Sequence, residues 1–136
     1  MFTNGVFDIV HAGHVRYLAE ARELGDLLLV GMNSDESVRG LGKGPDRPIN
    51  ALSDRAEVLS ALRAVDGVIA FEEHSAETLV ATLRPEVYVK GGDYDLARLP
   101  EAQIVASYGG TVTLLPFLEG RSTTSILDRQ EKRSSD

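Results

Sequence analysis

Two histidines, His11 and His14, stand three residues apart in "TNGVFDIVHAGH", where an apolar run closes on Asp8 and a helix can begin. A helix N-terminus presents unpaired N–H groups and partial positive charge, which favours phosphate. Residues three apart on a first helical turn share a face. Two imidazoles in that position can donate to phosphate oxygens, as neutral N–H groups or as imidazolium. The pair could instead cap the helix and lie on its surface, or bind zinc. No third ligand stands nearby in sequence, and the chain has no cysteine.

Three further stretches carry groups suited to a polyphosphate. In "EGRSTTSIL", Ser122 is a good helix N-cap, and its hydroxyl with those of Thr123 and Thr124 can meet phosphate oxygens. In "RGLGKGPDRPIN", Arg39, Lys43 and Arg47 concentrate positive charge among glycines and prolines. In "VYVKGGDY", an apolar strand delivers Lys90, then Gly91 and Gly92, then Asp93; paired glycines let backbone approach a flat base or a ribose. Taken alone, each has a purely structural reading as a helix cap, a solvated loop or a turn.

The elements that must position these groups alternate in type. Strands are expected at residues 2–6, 27–32, 67–71, 87–90 and 111–115. The helix expected over 14–24 turns Val15, Leu18 and Ala19 inward and stops at Gly25. A second, capped by Ser53, turns Ala56, Leu59 and Leu62 inward. Residues 75–83 place Ala76, Leu79, Val80 and Leu83 at helical spacing before Pro85. Helices also fit 100–108 and 122–131, and residues 131–136 read as a flexible tail. Residues 33–50 are polar, rich in Gly and Pro, and read as one long loop, a length that is usually functional or disordered.

This alternation predicts an α/β class, a Rossmann-like five-stranded parallel sheet with helices on both faces. Ligands of such sheets bind beyond the carboxyl ends of the strands. All four candidate stretches follow strands or open helices at that edge.

The bulk numbers set the frame. The 136 residues suit one domain spanning 1–136. Apolar residues are 43% and charged residues 26%, ordinary for a soluble fold. No run of about 18 apolar residues suggests a membrane span, and no secretory leader pattern opens the chain. The absence of cysteine suits a reducing cytoplasm. A net charge of −7 argues against a nucleic-acid binder, so the cations should be concentrated at one site.

"TNGVFDIVHAGH" resembles the signature of the cytidylyltransferase-like nucleotidyltransferases, in which G-x-F-D leads into H-x-G-H. Later segments match in order, the S-T-T element after the last strand among them. The resemblance implies that His11, His14, Lys43, Arg55 and Arg121 neutralise charge during transfer. It implies that Thr3, Asn4, Gly5, Phe7, Gly13, Lys90, Gly91, Asp93, Ser122, Thr123 and Thr124 surround the nucleotide, with Gly13 permitting its close approach. Asp8, Asn33, Arg39 and Lys43 would meet the acceptor, and Asp8 is also a candidate contact for a metal ion.

Two branches fit the length. "VKGGDY", "VGMNSDESVR", "DRPIN" and "RSTT" look like the heptose 1-phosphate adenylyltransferases. The glycerol-3-phosphate cytidylyltransferases typically read V-M-G-D-D-W and R-T-E-G at the corresponding places, and here the latter is "FLEG". The expectation is AMP transfer from ATP to a heptose 1-phosphate, with Mg²⁺ carried mainly by the substrate, in a cytoplasmic homodimer. The chain looks like a stand-alone form or a separately expressed domain of a bifunctional kinase/adenylyltransferase. Cytidylyl transfer to a polyol phosphate and a non-catalytic ATP sensor are the alternatives.

Overall fold

The computed structural model describes residues 1–42, 44–92, 95–116 and 123–134, with backbone alone for 123–125 and 132–134. Five parallel strands form one sheet: β1 (Phe2–Gly5), β2 (Leu29–Asn33), β3 (Gly67–Phe71), β4 (Val87–Gly91) and β5 (Thr111–Leu115). Their order is β3-β2-β1-β4-β5, with Phe2 opposite Leu29 on one side and opposite Tyr88 on the other. The strand order therefore reverses between β1 and β4, and a parallel sheet opens its ligand crevice at such a point.

The helices are α1 (Ala12–Arg22), α2 (Asp35–Gly40), α3 (Leu52–Ser60), α4 (Glu77–Leu83), α5 (Pro100–Ser107) and α6 (Thr123–Ser134). A single 3₁₀ turn at Leu96–Arg98 precedes α5. Alternation along the strands sends side chains to two cores. One packs Leu18 and Ala21 of α1 and Leu59 of α3 against Val30, Met32 and Val89. The other packs Val80 of α4 and Val105 of α5 against Phe2, Phe71 and Tyr88. Each such aliphatic or aromatic side chain contributes about 1.5–3 kcal/mol when fully buried, so both faces must be covered for the sheet to persist. Among the described residues, no helix is long and apolar enough to cross a membrane.

The Rossmann-like class and the five strands agree with expectation, and β3 and β5 have the expected limits. Several local expectations are corrected. Helix α1 begins at Ala12, because His11 caps it, and ends at Arg22 before Gly25. Its buried positions are Leu18 and Ala21; Val15 and Ala19 face solvent. The long loop is broken by α2, which Ser34 caps through a bond from the Ser37 N–H. Helix α3 starts without a side-chain cap at Ala51, and Ser53 lies inside its first turn. The backbone of α6 is helical through Ser134, inside the expected tail.

Candidate active site

The β1–α1 turn builds the centre of the site. His11 is extended at the N-cap, and its Nδ1 accepts the Gly13 N–H at 3.1 Å. The His11 N–H donates in return to Nδ1 of His14 at 3.3 Å. The rings stack with centroids 3.9 Å apart at 23°. In both rings the Nδ1 lone pair is engaged, so the proton of the neutral ring sits on Nε2. Burial, and then the neighbouring His11, hold the pKa of His14 at about 4, below its ordinary 6.5. His14 is therefore a neutral N–H donor at physiological pH. Of the two protonation states open to it in the sequence, the structure selects the uncharged one.

Phe7 secures this arrangement. Its φ is +51°, in the left-handed region that a bulky residue rarely enters. That kink turns its ring against His14, with centroids 5.2 Å apart. Gly5 makes room, since a Cβ there would stand 2.9 Å from the Phe7 ring. The Phe7 side chain itself is core, 6% exposed, so it supports the site from below.

Several side chains expected to contact ligand have partners inside the fold. Thr3 is fully buried: its hydroxyl bonds that of Tyr17 at 2.6 Å, and the Tyr17 hydroxyl donates to the Val89 carbonyl at 3.1 Å. Asn33 is buried and donates its amide to Ser37 Oγ at 3.0 Å. Gly13, expected to permit close approach of the nucleotide, donates its N–H to the His11 cap. Asp8 is buried; Oδ2 accepts from Arg47 Nε at 3.0 Å and from the Ile49 N–H at 2.7 Å, and Oδ1 accepts from the Asn50 N–H at 2.8 Å. Its carboxylate is engaged with residues 47–50.

Arg55, expected to touch phosphate, is the most fully engaged of these. Its side chain is wholly buried. The guanidinium donates to the carbonyls of Asn50, Val6 and Asn33, each at 2.9 Å, and to Asp35 Oδ1 at 2.7 Å. It is a tie between the ends of β1 and β2 and the loop that follows α2. The sequence carried a signal for this: Arg55, Leu59 and Leu62 fall on one helical face, the inward one. Asp35, Ile49 and Asn50, which complete the network, had no local signal.

Other candidates remain at the open edge. Asn4 stands near the end of β1, its amide oxygen accepting from the Tyr88 hydroxyl. Lys90 and Gly91 close β4, and Gly92 is left-handed (φ +97°), donating its N–H to Leu115. Arg39 is exposed in the last turn of α2. Lys43, Asp93, Arg121 and Ser122 lie outside the described residues, as do the side chains of Thr123 and Thr124. Among the described residues no group of three His, Asp or Glu side chains could hold a metal ion.

The comparisons agree with this architecture. The cytidylyltransferase-like family model matches residues 2–126. The chain is 54% identical over 129 residues to a D-beta-D-heptose 1-phosphate adenylyltransferase of Bordetella bronchiseptica, spanning 95% of this chain and 80% of the relative. It is 55% identical over 125 residues to the bifunctional protein HldE of Streptomyces coelicolor, spanning 92% of this chain but only 27% of that one. A crystal structure of a lipopolysaccharide core biosynthesis protein from Thermoplasma volcanium superposes with a TM-score of 0.70 at 32% identity, over 86% of this chain and 93% of that one. Pantothenate synthetase from Thermus thermophilus, at 17% identity and a TM-score of 0.59, over 86% of this chain and 55% of that one, shares the fold. With its sheet order, its paired imidazoles and a match over nearly all its length, the chain belongs to the cytidylyltransferase-like family.

Proposed function

We propose that this chain transfers AMP from ATP to a heptose 1-phosphate, giving ADP-heptose and pyrophosphate. The observation that carries the reading is the stacked imidazole pair at the N-terminus of α1, with His14 held neutral. The choice of adenylyl donor and heptose acceptor rests on similarity to the Bordetella enzyme.

The attacking oxygen of a sugar phosphate is already ionised, so no general base is needed. Catalysis then consists of aligning that oxygen with the α-phosphorus and stabilising charge on the pentacoordinate centre and leaving pyrophosphate. The Nε2–H groups of His11 and His14 are set by their caps before substrate arrives. Lys43, Arg121 and the Ser122–Thr123–Thr124 element complete the phosphate contacts in this reading. Asn4, Lys90, Gly91 and Asp93 line the nucleotide side, and Arg39 attends the acceptor. Magnesium enters with the triphosphate, held by its oxygens and water, because the described side chains offer no cage. The enzyme works in the cytoplasm, where ATP is supplied, and feeds cell-envelope or related glycan synthesis. It acts as a homodimer; exposed apolar side chains on α1 and α3, Val15 and Val58, supply surface for that contact.

Pyrophosphate release with ATP or CTP, crossed with heptose 1-phosphate or glycerol 3-phosphate, tests the reading. Turnover with ATP and the heptose alone supports it. Turnover with CTP and the polyol phosphate assigns the cytidylyl branch, and ATP binding without product on any acceptor makes the chain a sensor.

A further inference from the structure

We propose that Asp8 is a positioning residue for this reaction: its carboxylate straps residues 47–50 to the turn that presents His11 and His14, so that loop and imidazoles are set as one unit. The proposal rests on the transferase reading above.

Three observations carry it. First, every bond that the Asp8 carboxylate makes to a described residue goes to this loop, 39 to 42 residues away in the chain: the Arg47 guanidinium and the amides of Ile49 and Asn50. A fourth bond runs from the Asn50 side-chain amide to the Asp8 carbonyl at 2.7 Å. The carboxylate is fully buried and Arg47 nearly so, which strengthens charge-assisted bonds and makes an unpaired partner costly. Second, Asp8 directly follows Phe7, the left-handed residue whose ring backs His14. A displacement of Asp8 must rotate the residue that sets the imidazole. Third, Asn50 is gripped from both sides: its N–H is on Asp8, and its carbonyl is on Arg55, whose guanidinium also holds Val6 at the end of β1. The loop end has no movement independent of the strand that delivers the histidines.

The test uses Asp8→Asn in the full chain, which keeps the size of the side chain but removes its charge and half its acceptor capacity. Three quantities are measured: hydrogen exchange at the Ile49 and Asn50 amides, the titration of the His14 imidazole by NMR, and kcat and KM with ATP and heptose 1-phosphate. Expected are at least tenfold faster exchange at both amides, a His14 midpoint moved up from about 4 towards 6.5, and kcat lowered at least tenfold with KM little changed. A fall in kcat with amides and imidazole unmoved would overturn the proposal, because Asp8 would then act on substrate directly. Unchanged kcat would overturn it as well. Should Asp8→Asn not fold, Arg47→Gln removes the ion pair and leaves both amide bonds; the same three shifts are expected at smaller size, and their absence defeats the idea. The first two readouts need no substrate. A wild-type chain that makes no ADP-heptose therefore refutes the transferase reading separately.

Discussion

The imidazoles of His11 and His14 are tied through the backbone: that of His11 accepts the Gly13 N–H, and the His11 backbone N–H donates to that of His14. The capping box usually pairs a hydroxyl with a carboxylate or amide. Here two imidazole Nδ1 acceptors replace them, so the bonds that start α1 also dictate which ring nitrogen carries the proton. Helix initiation uses the Nδ1 side of the same two rings whose Nε2 side carries the proposed chemistry.

Replacing His14 by alanine should lower kcat about a hundredfold or more, since one preorganised donor is worth about 2.7–4 kcal/mol in the transition state. The fold should survive, because the lost cap costs only about 1 kcal/mol. Pyrophosphate-release kinetics beside a denaturant melt check both halves. A variant that unfolds, or that turns over normally, contradicts the assignment.

The His14 pKa gives a pH dependence with a definite sign. Below 6.5 the unfolded chain takes up a proton that the folded chain refuses until about pH 4. Unfolded molecules bind more protons in that window, so stability from this group falls as pH drops from 6.5 to 4. At about 1.4 kcal/mol per pH unit, the loss is at most about 3 kcal/mol, less where solvent reaches the ring. Urea midpoints between pH 7 and 4, compared with those of His14→Gln, isolate it. An imidazole that titrates near 6.5 by NMR would contradict the buried neutral state.

Arg55→Met should destabilise the fold by about 3–5 kcal/mol, because it removes the guanidinium donor from three carbonyls and leaves Asp35 without its cationic partner. Arg55→Lys should recover only part of this, since an ammonium cannot span the fork. Equilibrium unfolding is the measurement. Full stability with a large loss of turnover would mean instead that the guanidinium reaches phosphate.

Two glycines allow a paired comparison. A Cβ at Gly5 would meet the Phe7 ring at 2.9 Å, and one at Gly31 would meet the Phe2 ring at 2.7 Å. Each alanine should cost about 1–3 kcal/mol by overpacking. Only Gly5→Ala should also lower kcat, because Phe7 touches His14 and Phe2 does not belong to the site. Equal kinetic losses in the two variants would break the proposed link from Phe7 to the imidazole.

Much of this was legible in the sequence. Short apolar runs between helical stretches located every strand, because strands covered on both faces are apolar along their length. The H-x-x-H pair was legible because its spacing is local: cap and third helical residue are joined by one turn. Val15 and Ala19 were misread because the buried stripe of α1 runs from Leu18 towards Ala21 and leaves the opposite flank of Leu18, where Val15 and Ala19 lie, to solvent. Helix α2 went unseen because six residues carry too little periodicity, and only its cap at Ser34 marks it.

The chain by itself determined the fold class, the sheet edge at which ligand is expected, and the imidazole pair, since each follows from short-range order. Tertiary structure alone decided which charged groups face the crevice. Asp8 and Arg55 look like equal candidates beside the histidines. Yet partners 39 and 49 residues away, brought together only when β1, β2 and the loop assemble, satisfy them inside the protein. A buried charge must be paired, and its partner is set by topology rather than by neighbouring sequence.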